Sequence, residues 1–223
     1  MVHARREKGR GAWPGRIDIG ALLWAAQPLC IIVELVVVSR VRTPYSLIDN
    51  TISEAQAASC TTITYAFGQV PVCSPLGWLL NVATVLSGLA VGIGALLLHS
   101  TVPGQRVRMG VTVAAVLSGL SLIGTGVVPV DVDLNLHVLV ALPQFLTFPV
   151  MLILLSIAMR AVSRPVARTA LVAGLLCLGG AVAYFALLGQ SHGGGVLERV
   201  ALWPFWLALL PVGVTLMRRR TSG

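Results

Sequence analysis

Six apolar blocks dominate the sequence, at residues 19–38, 76–98, 111–130, 137–159, 170–188 and 200–217. Each is close to the length of about 20 residues that a helix needs to cross the roughly 30 Å hydrocarbon layer of a bilayer. Lipid offers backbone amides no hydrogen-bond partner, so every block must be a helix. Hydrophobic residues make up 56% of the chain and charged ones 11%, too little polar surface to keep a globule of 223 residues in water. The mean hydropathy of +0.87 points the same way. The expected fold is an all-α polytopic membrane protein with six transmembrane helices.

The first block reads as a retained anchor. It is longer than a signal-peptide core, Val38-Ser39-Arg40 has no small-x-small cleavage pattern, and Gln27-Pro28-Leu29-Cys30 is not a lipoprotein cleavage box. Residues 1–16 are expected to form a disordered tail, 17–217 the membrane domain with an outer cap at 40–75, and 218–223 a second tail.

The formal charge of +8 could suggest nucleic acid, but fifteen of the sixteen basic residues are arginines that flank apolar blocks. They are not interleaved with aromatics in a basic patch, so no nucleic-acid partner is expected. They report topology instead. With the N-terminus inside, thirteen of the sixteen fall on inner segments, leaving Arg40, Arg42 and Arg199 outside. That asymmetry is the positive-inside pattern. It predicts a bacterial plasma membrane protein with both termini in the cytoplasm. Trp24, Trp78 and Trp203 fall near span ends, as interface anchors or as packing between helices.

The second and third spans share Val-Leu-Ser-Gly-Leu, at Val85 to Leu89 and Val116 to Leu120. Their glycines predict an antiparallel seam of closely approaching backbones. Between the first two spans, Thr51-Ile52-Ser53-Glu54 fits a capping box opening a short helix through Ala58. Ile63, Tyr65 and Phe67 alternate with small polar residues ahead of Gly68, which suggests a hairpin with that glycine at the first turn position. Cys60 and Cys73 flank the hairpin in an oxidising compartment, where a disulfide would make the segment a small linked extracytoplasmic cap; two free thiols are the alternative. Cys30 and Cys177 lie inside spans as small apolar residues.

Polar residues gather on the outer side. Asn50, Ser53 and Glu54 belong to the cap, Asp131, Asp133 and His137 to the junction of spans three and four, and His192, Glu198 and Arg199 to the start of span six. Glu34 lies within span one, at a depth where a carboxylate is costly and calls for a partner or a wet cavity. Arg40 or Arg42 could supply that partner. Asp133 and His137, four apart, could share a helix face. Together with His192 they could hold a divalent metal; a His–Asp pair or simple capping by Asp133 are alternatives. Glu198 suits a helix N-terminus, whereas Arg199 does not. Arg199 therefore calls for an acidic partner such as Asp131, Asp133 or Glu54.

Asn50 to Glu54, Asn81, the stretch 124–129 ahead of Asp131, His137, and Gly195-Val196-Leu197-Glu198-Arg199 together resemble the family catalogued as domain of unknown function 998. Those are six-span membrane proteins of bacteria and archaea. The resemblance implies six helices and an outer polar set, and no activity. The long first outer segment with Cys60 and Cys73 departs from it.

Three functions fit these readings. One is binding of a lipid or small hydrophobic ligand, or support of an envelope complex with other membrane proteins, at the outer face. A second is a lipid-modifying enzyme at the outer leaflet using Asp133, His137, His192 and Glu198 as metal ligands or acid/base groups. The third is a small transporter with Glu34 as its coupling site.

Overall fold

The computed structural model describes residues 15–187 and 192–221. Most of the expected N-terminal tail, 1–14, lies outside these residues. The remainder forms α1 (Arg16–Ala25), α2 (Leu29–Val38), α3 (Ile52–Ala55), β1 (Thr61–Tyr65), β2 (Gly68–Val72), α4 (Gly77–Leu98), α5 (Gln105–Val127), α6 (Leu134–Met159), α7 (Arg164–Ala186) and α8 (Gly194–Thr221). Among the described residues six helical spans are long and apolar enough to cross a membrane, the first made of α1 and α2 together. This is a multi-pass membrane protein. Its helices overrun the apolar blocks at several ends, and α8 continues to Thr221, into the stretch read as a tail.

Pro28 divides the first span. It cannot continue the amide ladder, and Gln27 fills the gap, donating from Nε2 to the Leu23 carbonyl and accepting from Ser87 Oγ at 2.6 Å. Ser121 plays a similar part in α6. Its hydroxyl stands between the Val140 carbonyl, 2.6 Å away, and the Gln144 amide, 3.2 Å away. An inserted side chain of this kind bends a helix.

The shared pentapeptide forms the expected seam. A Cβ added at Gly88 would meet the Gly119 carbonyl oxygen at 2.5 Å, and one added at Gly119 would meet the Gly88 oxygen at the same distance. Trp24 is not an interface anchor. It is fully buried and donates to the Val91 carbonyl at 3.2 Å, because Gly94 lets its ring reach the α4 backbone. Trp78, 60% exposed, stays on the surface. Leu22, Leu86, Leu139 and Val182 also face outward, as helices in contact with lipid must.

The cap sits over one end of the bundle. The capping box forms, with Thr51 Oγ1 accepting from the Glu54 amide and Glu54 Oε2 from the Thr51 amide, but the helix ends at Ala55 rather than Ala58. The hairpin turns through Ala66 and Phe67. Gly68 pairs with Tyr65 and so closes the turn instead of opening it; its φ of +147° is a conformation that suits glycine. Ile63 and Val72 bury against Ala57 and Val130. Cys60 and Cys73 form a disulfide across 13 residues of sequence. Closing so short a loop is expected to stabilise the fold by about 3 kcal/mol. Thermal melts with and without a reductant should therefore differ, and a Cys60→Ser/Cys73→Ser variant should match the reduced protein under both conditions.

Candidate functional site

Two neighbouring residues of α8 point in different directions and organise the cap end. Arg199 is 5% exposed and Glu34 is completely buried. Arg199 Nε donates to Glu34 Oε1 at 2.9 Å, and Trp203 Nε1 donates to Glu34 Oε2 at 2.8 Å. The guanidinium also donates from Nη1 to the carbonyls of Leu47, Asn50 and Gly195, and from Nη2 to Tyr45 Oη. This answers the objection to a cation at a helix N-terminus: a carboxylate and backbone carbonyls surround it. The partner is Glu34, not Asp131, Asp133 or Glu54, and Glu34 correspondingly does not pair with Arg40 or Arg42. The clamp joins α2, the cap and α8. Backbone bonds reinforce it, since the first amides of α8, at Gly195 and Val196, donate to the carbonyls of Asp49 and Ile48.

Glu198 turns the other way, toward Ser53. Its Oε2 accepts from the Ile52 amide in a short hydrogen bond, and its Oε1 lies 3.2 Å from Ser53 Oγ. On the opposite side of that hydroxyl, 2.9 Å away, is His137 Nε2. The imidazole is held from behind, its Nδ1 lying 2.6 Å from the Val128 carbonyl oxygen. A carbonyl only accepts, so Nδ1 carries a proton. The Ser53 hydroxyl has one proton for two neighbours. When it donates to a neutral His137, Glu198 must be the acid that donates to Oγ; when it donates to the Glu198 carboxylate, His137 must be the imidazolium. The three groups share one transferable proton.

Ser53 and His137 open onto a cavity of about 330 Å³ between the hairpin and the cap ends of α6, α7 and α8. Its wall is mostly apolar, with Phe67, Val138, Leu187 and Leu197, while Glu54, Tyr65 and Tyr184 add polar groups. Burial pushes the Glu54 carboxyl above its ordinary value of 4.5, against the hydrogen bonds from Asn50, Thr51 and Tyr65 that lower it. The folded protein thus holds this proton to higher pH than the unfolded chain. Its contribution to stability is full below 4.5 and is lost as pH rises through the folded value. A Glu54→Gln variant should show a flatter dependence of melting temperature on pH across that window.

The model of the family described as "Protein of unknown function (DUF998)" matches residues 24–215. The chain belongs to that family. The match runs from within α1 to within α8 and takes in the cap, Ser53, His137 and the Glu198–Arg199 pair. No curated protein and no solved structure matches the chain.

Of the other residues singled out in this DUF998 chain, Asn50 supports Glu54, donating from Nδ2 to its Oε2 at 2.7 Å. Asp131 fastens the cap to the α5–α6 junction by accepting from the amides of Ala58 and Ser59 and from Ser59 Oγ. Asp133 caps α6, accepting from the Leu136 amide at 2.9 Å, and so starts the helix one turn before His137. His192 is well exposed, its Nδ1 3.5 Å from Asp49 Oδ1. The Gly193 amide holds the Asp49 carboxyl below its ordinary range, with His192 contributing. Asp133, His137 and His192 are therefore not gathered as a metal site, because each is committed to a different partner. Among the described residues no group of three His, Cys, Asp or Glu side chains is placed to hold a metal ion.

Sequence reasoning missed several participants. Tyr45 bridges Arg199 and the Thr51 carbonyl, the latter at 2.7 Å. Gln56 donates to Thr84 Oγ1 at 2.8 Å and fixes α3 to α4. Neither carries a local signal. The Val128 carbonyl could not be found from side-chain identity at all, although Pro129 just after it marks the end of α5.

Proposed function

We propose that this protein is a membrane enzyme of the outer leaflet that transfers or hydrolyses an acyl group of an amphiphilic ester, with Ser53 as nucleophile and His137 as its general base. The observation that carries this reading is the 2.9 Å approach of Ser53 Oγ to His137 Nε2 beside a largely apolar cavity of about 330 Å³. A nucleophile within reach of a base, itself oriented by a third group, is the arrangement that nucleophilic catalysis requires. Here the orienting group is a backbone carbonyl.

Ser53 Oγ bonds to the ester carbonyl carbon as its proton passes to His137 Nε2. The C–O bond to the alcohol breaks, and the departing oxygen takes that proton. Water, or a second alcohol, then gives a proton to His137 and attacks the acyl-serine, and Ser53 takes that proton from His137 as it leaves. Throughout, Glu198 in its acid form can hold Oγ in place. The outer-leaflet assignment rests on the arginine distribution, and the amphiphilic substrate on the apolar wall, which would equally suit simple lipid binding. What favours chemistry is the bracketed hydroxyl. A coupling-ion role for Glu34 is disfavoured because both its oxygens are already engaged.

The test is a comparison of His137→Gln with Glu198→Gln in hydrolysis of a panel of lipid esters by reconstituted protein. The glutamine at 198 can still accept from the Ile52 amide and donate to Ser53, so Glu198→Gln should stay within about tenfold of wild type. His137→Gln should lose on the order of 10²–10⁴, the usual contribution of a general base. The reverse pattern would make Glu198 the base and overturn the assignment of roles.

A further inference from the structure

The end of the bundle opposite the cap carries a second feature, independent of Ser53. Arg160 closes α6, and Arg164 and Arg168 lie in the first turns of α7. Together with Ser156, Ala167 and Leu171 they line a cavity of about 510 Å³. All three arginines are exposed, and none takes a hydrogen-bond or ion-pair partner among the described residues. Arg164 and Arg168 are four apart, so like charges share one helix face, an unfavourable spacing. They also stand at the positive end of the α7 macrodipole, and the first turn has no acidic residue to offset them. Among the described residues no carboxylate lines the cavity. The charge balance is that of a site completed by an anion.

Arg168 also borders a second space, an apolar groove of about 850 Å³ between α7 and α8. Val172 and Leu176 form one side and Val196, Val200 and Leu207 the other. Along α7 the groove runs from Arg168 to Leu176, about 12 Å at the helical rise of 1.5 Å per residue, and beyond that it continues along α8 toward Leu47, Ile48 and Val196 at the cap. The α7 stretch is somewhat less than half of the roughly 30 Å hydrocarbon layer, so a chain anchored at Arg168 lies in it through most of its own leaflet. A cationic basin thus opens onto a groove of acyl-chain length, with Arg168 at the join.

We infer that this surface binds an anionic diacyl phospholipid of the leaflet opposite the cap, its phosphate on Arg160, Arg164 and Arg168 and one acyl chain in the α7–α8 groove. Basic pockets between transmembrane helices select anionic headgroups in this way. The experiment is native mass spectrometry of the full chain in a mild detergent, titrated with dioleoyl phosphatidylglycerol or dioleoyl phosphatidylcholine. The wild type should retain phosphatidylglycerol in preference. At about 1 kcal/mol, or roughly fivefold, per arginine, an Arg160→Gln/Arg164→Gln/Arg168→Gln variant should lose on the order of a hundredfold of that preference. Val172→Trp, which fills the groove while leaving the arginines in place, should weaken retention of both lipids. Glycerol phosphate at matched concentration should not compete, since it lacks the chain. Because the three arginines are exposed, the triple variant should melt with the wild type. Equal retention of the two lipids by wild type, undiminished preference in the triple variant, or full competition by glycerol phosphate would each overturn the assignment.

Discussion

Replacement of Arg199 by methionine is expected to destabilise the protein by about 3–5 kcal/mol, the usual result of stranding one member of a buried ion pair. The carboxylate left behind belongs to a fully buried residue, with only the Trp203 indole to satisfy it. Glu34→Gln should cost less, because the guanidinium keeps the carbonyls of Leu47, Asn50 and Gly195 and the Tyr45 hydroxyl. The double variant should recover much of what Arg199→Met loses, since neither charge is then buried. Melting temperatures of the four proteins in one detergent measure this as a double-mutant cycle. An Arg199→Met variant within about 0.5 kcal/mol of wild type, the range of ordinary surface changes, would show that the clamp does not hold the cap.

The second large effect is on turnover. Ser53→Ala should abolish ester hydrolysis, a loss of at least about 10³-fold, because removing a nucleophile leaves only binding and environment to act. Its structural cost should be smaller. Two buried polar neighbours lose a partner, worth about 1–3 kcal/mol, while the Ile52 amide still holds Glu198 and the Val128 carbonyl still holds His137. Activity and stability should separate in opposite directions: Ser53→Ala folded and inactive, Glu34→Gln/Arg199→Met close to wild type in turnover wherever it is folded. Proportional loss of both properties in every variant would mean that Ser53 is a packing residue.

The six spans were legible because hydropathy is a property of local sequence, and the capping box was legible because its partners are three residues apart. The glycine seam was legible for a similar reason, since small residues in apolar helices have few other uses. Contacts between distant segments were not. Arg199 was recognisable as out of place at a helix start, yet its partner Glu34 lies 165 residues away, and hydropathy does not say which of several carboxylates reaches it. His137 was singled out through its spacing from Asp133, but that spacing describes how α6 begins; the contact that bears on chemistry is with Ser53, 84 residues away. Trp24 illustrates the same limit. Its position near a span end suits an interface anchor or packing between helices equally, and only the absence of a side chain at Gly94 explains its burial.

The most direct test of the central claim is covalent. Incubating the reconstituted protein with a long-chain alkyl fluorophosphonate and sequencing its peptides by mass spectrometry should find the phosphonyl adduct on Ser53. That adduct should vanish in His137→Gln and persist in Glu198→Gln. A protein that hydrolyses esters with Ser53 unlabelled, or one equally labelled at Ser53 without His137, would contradict the account.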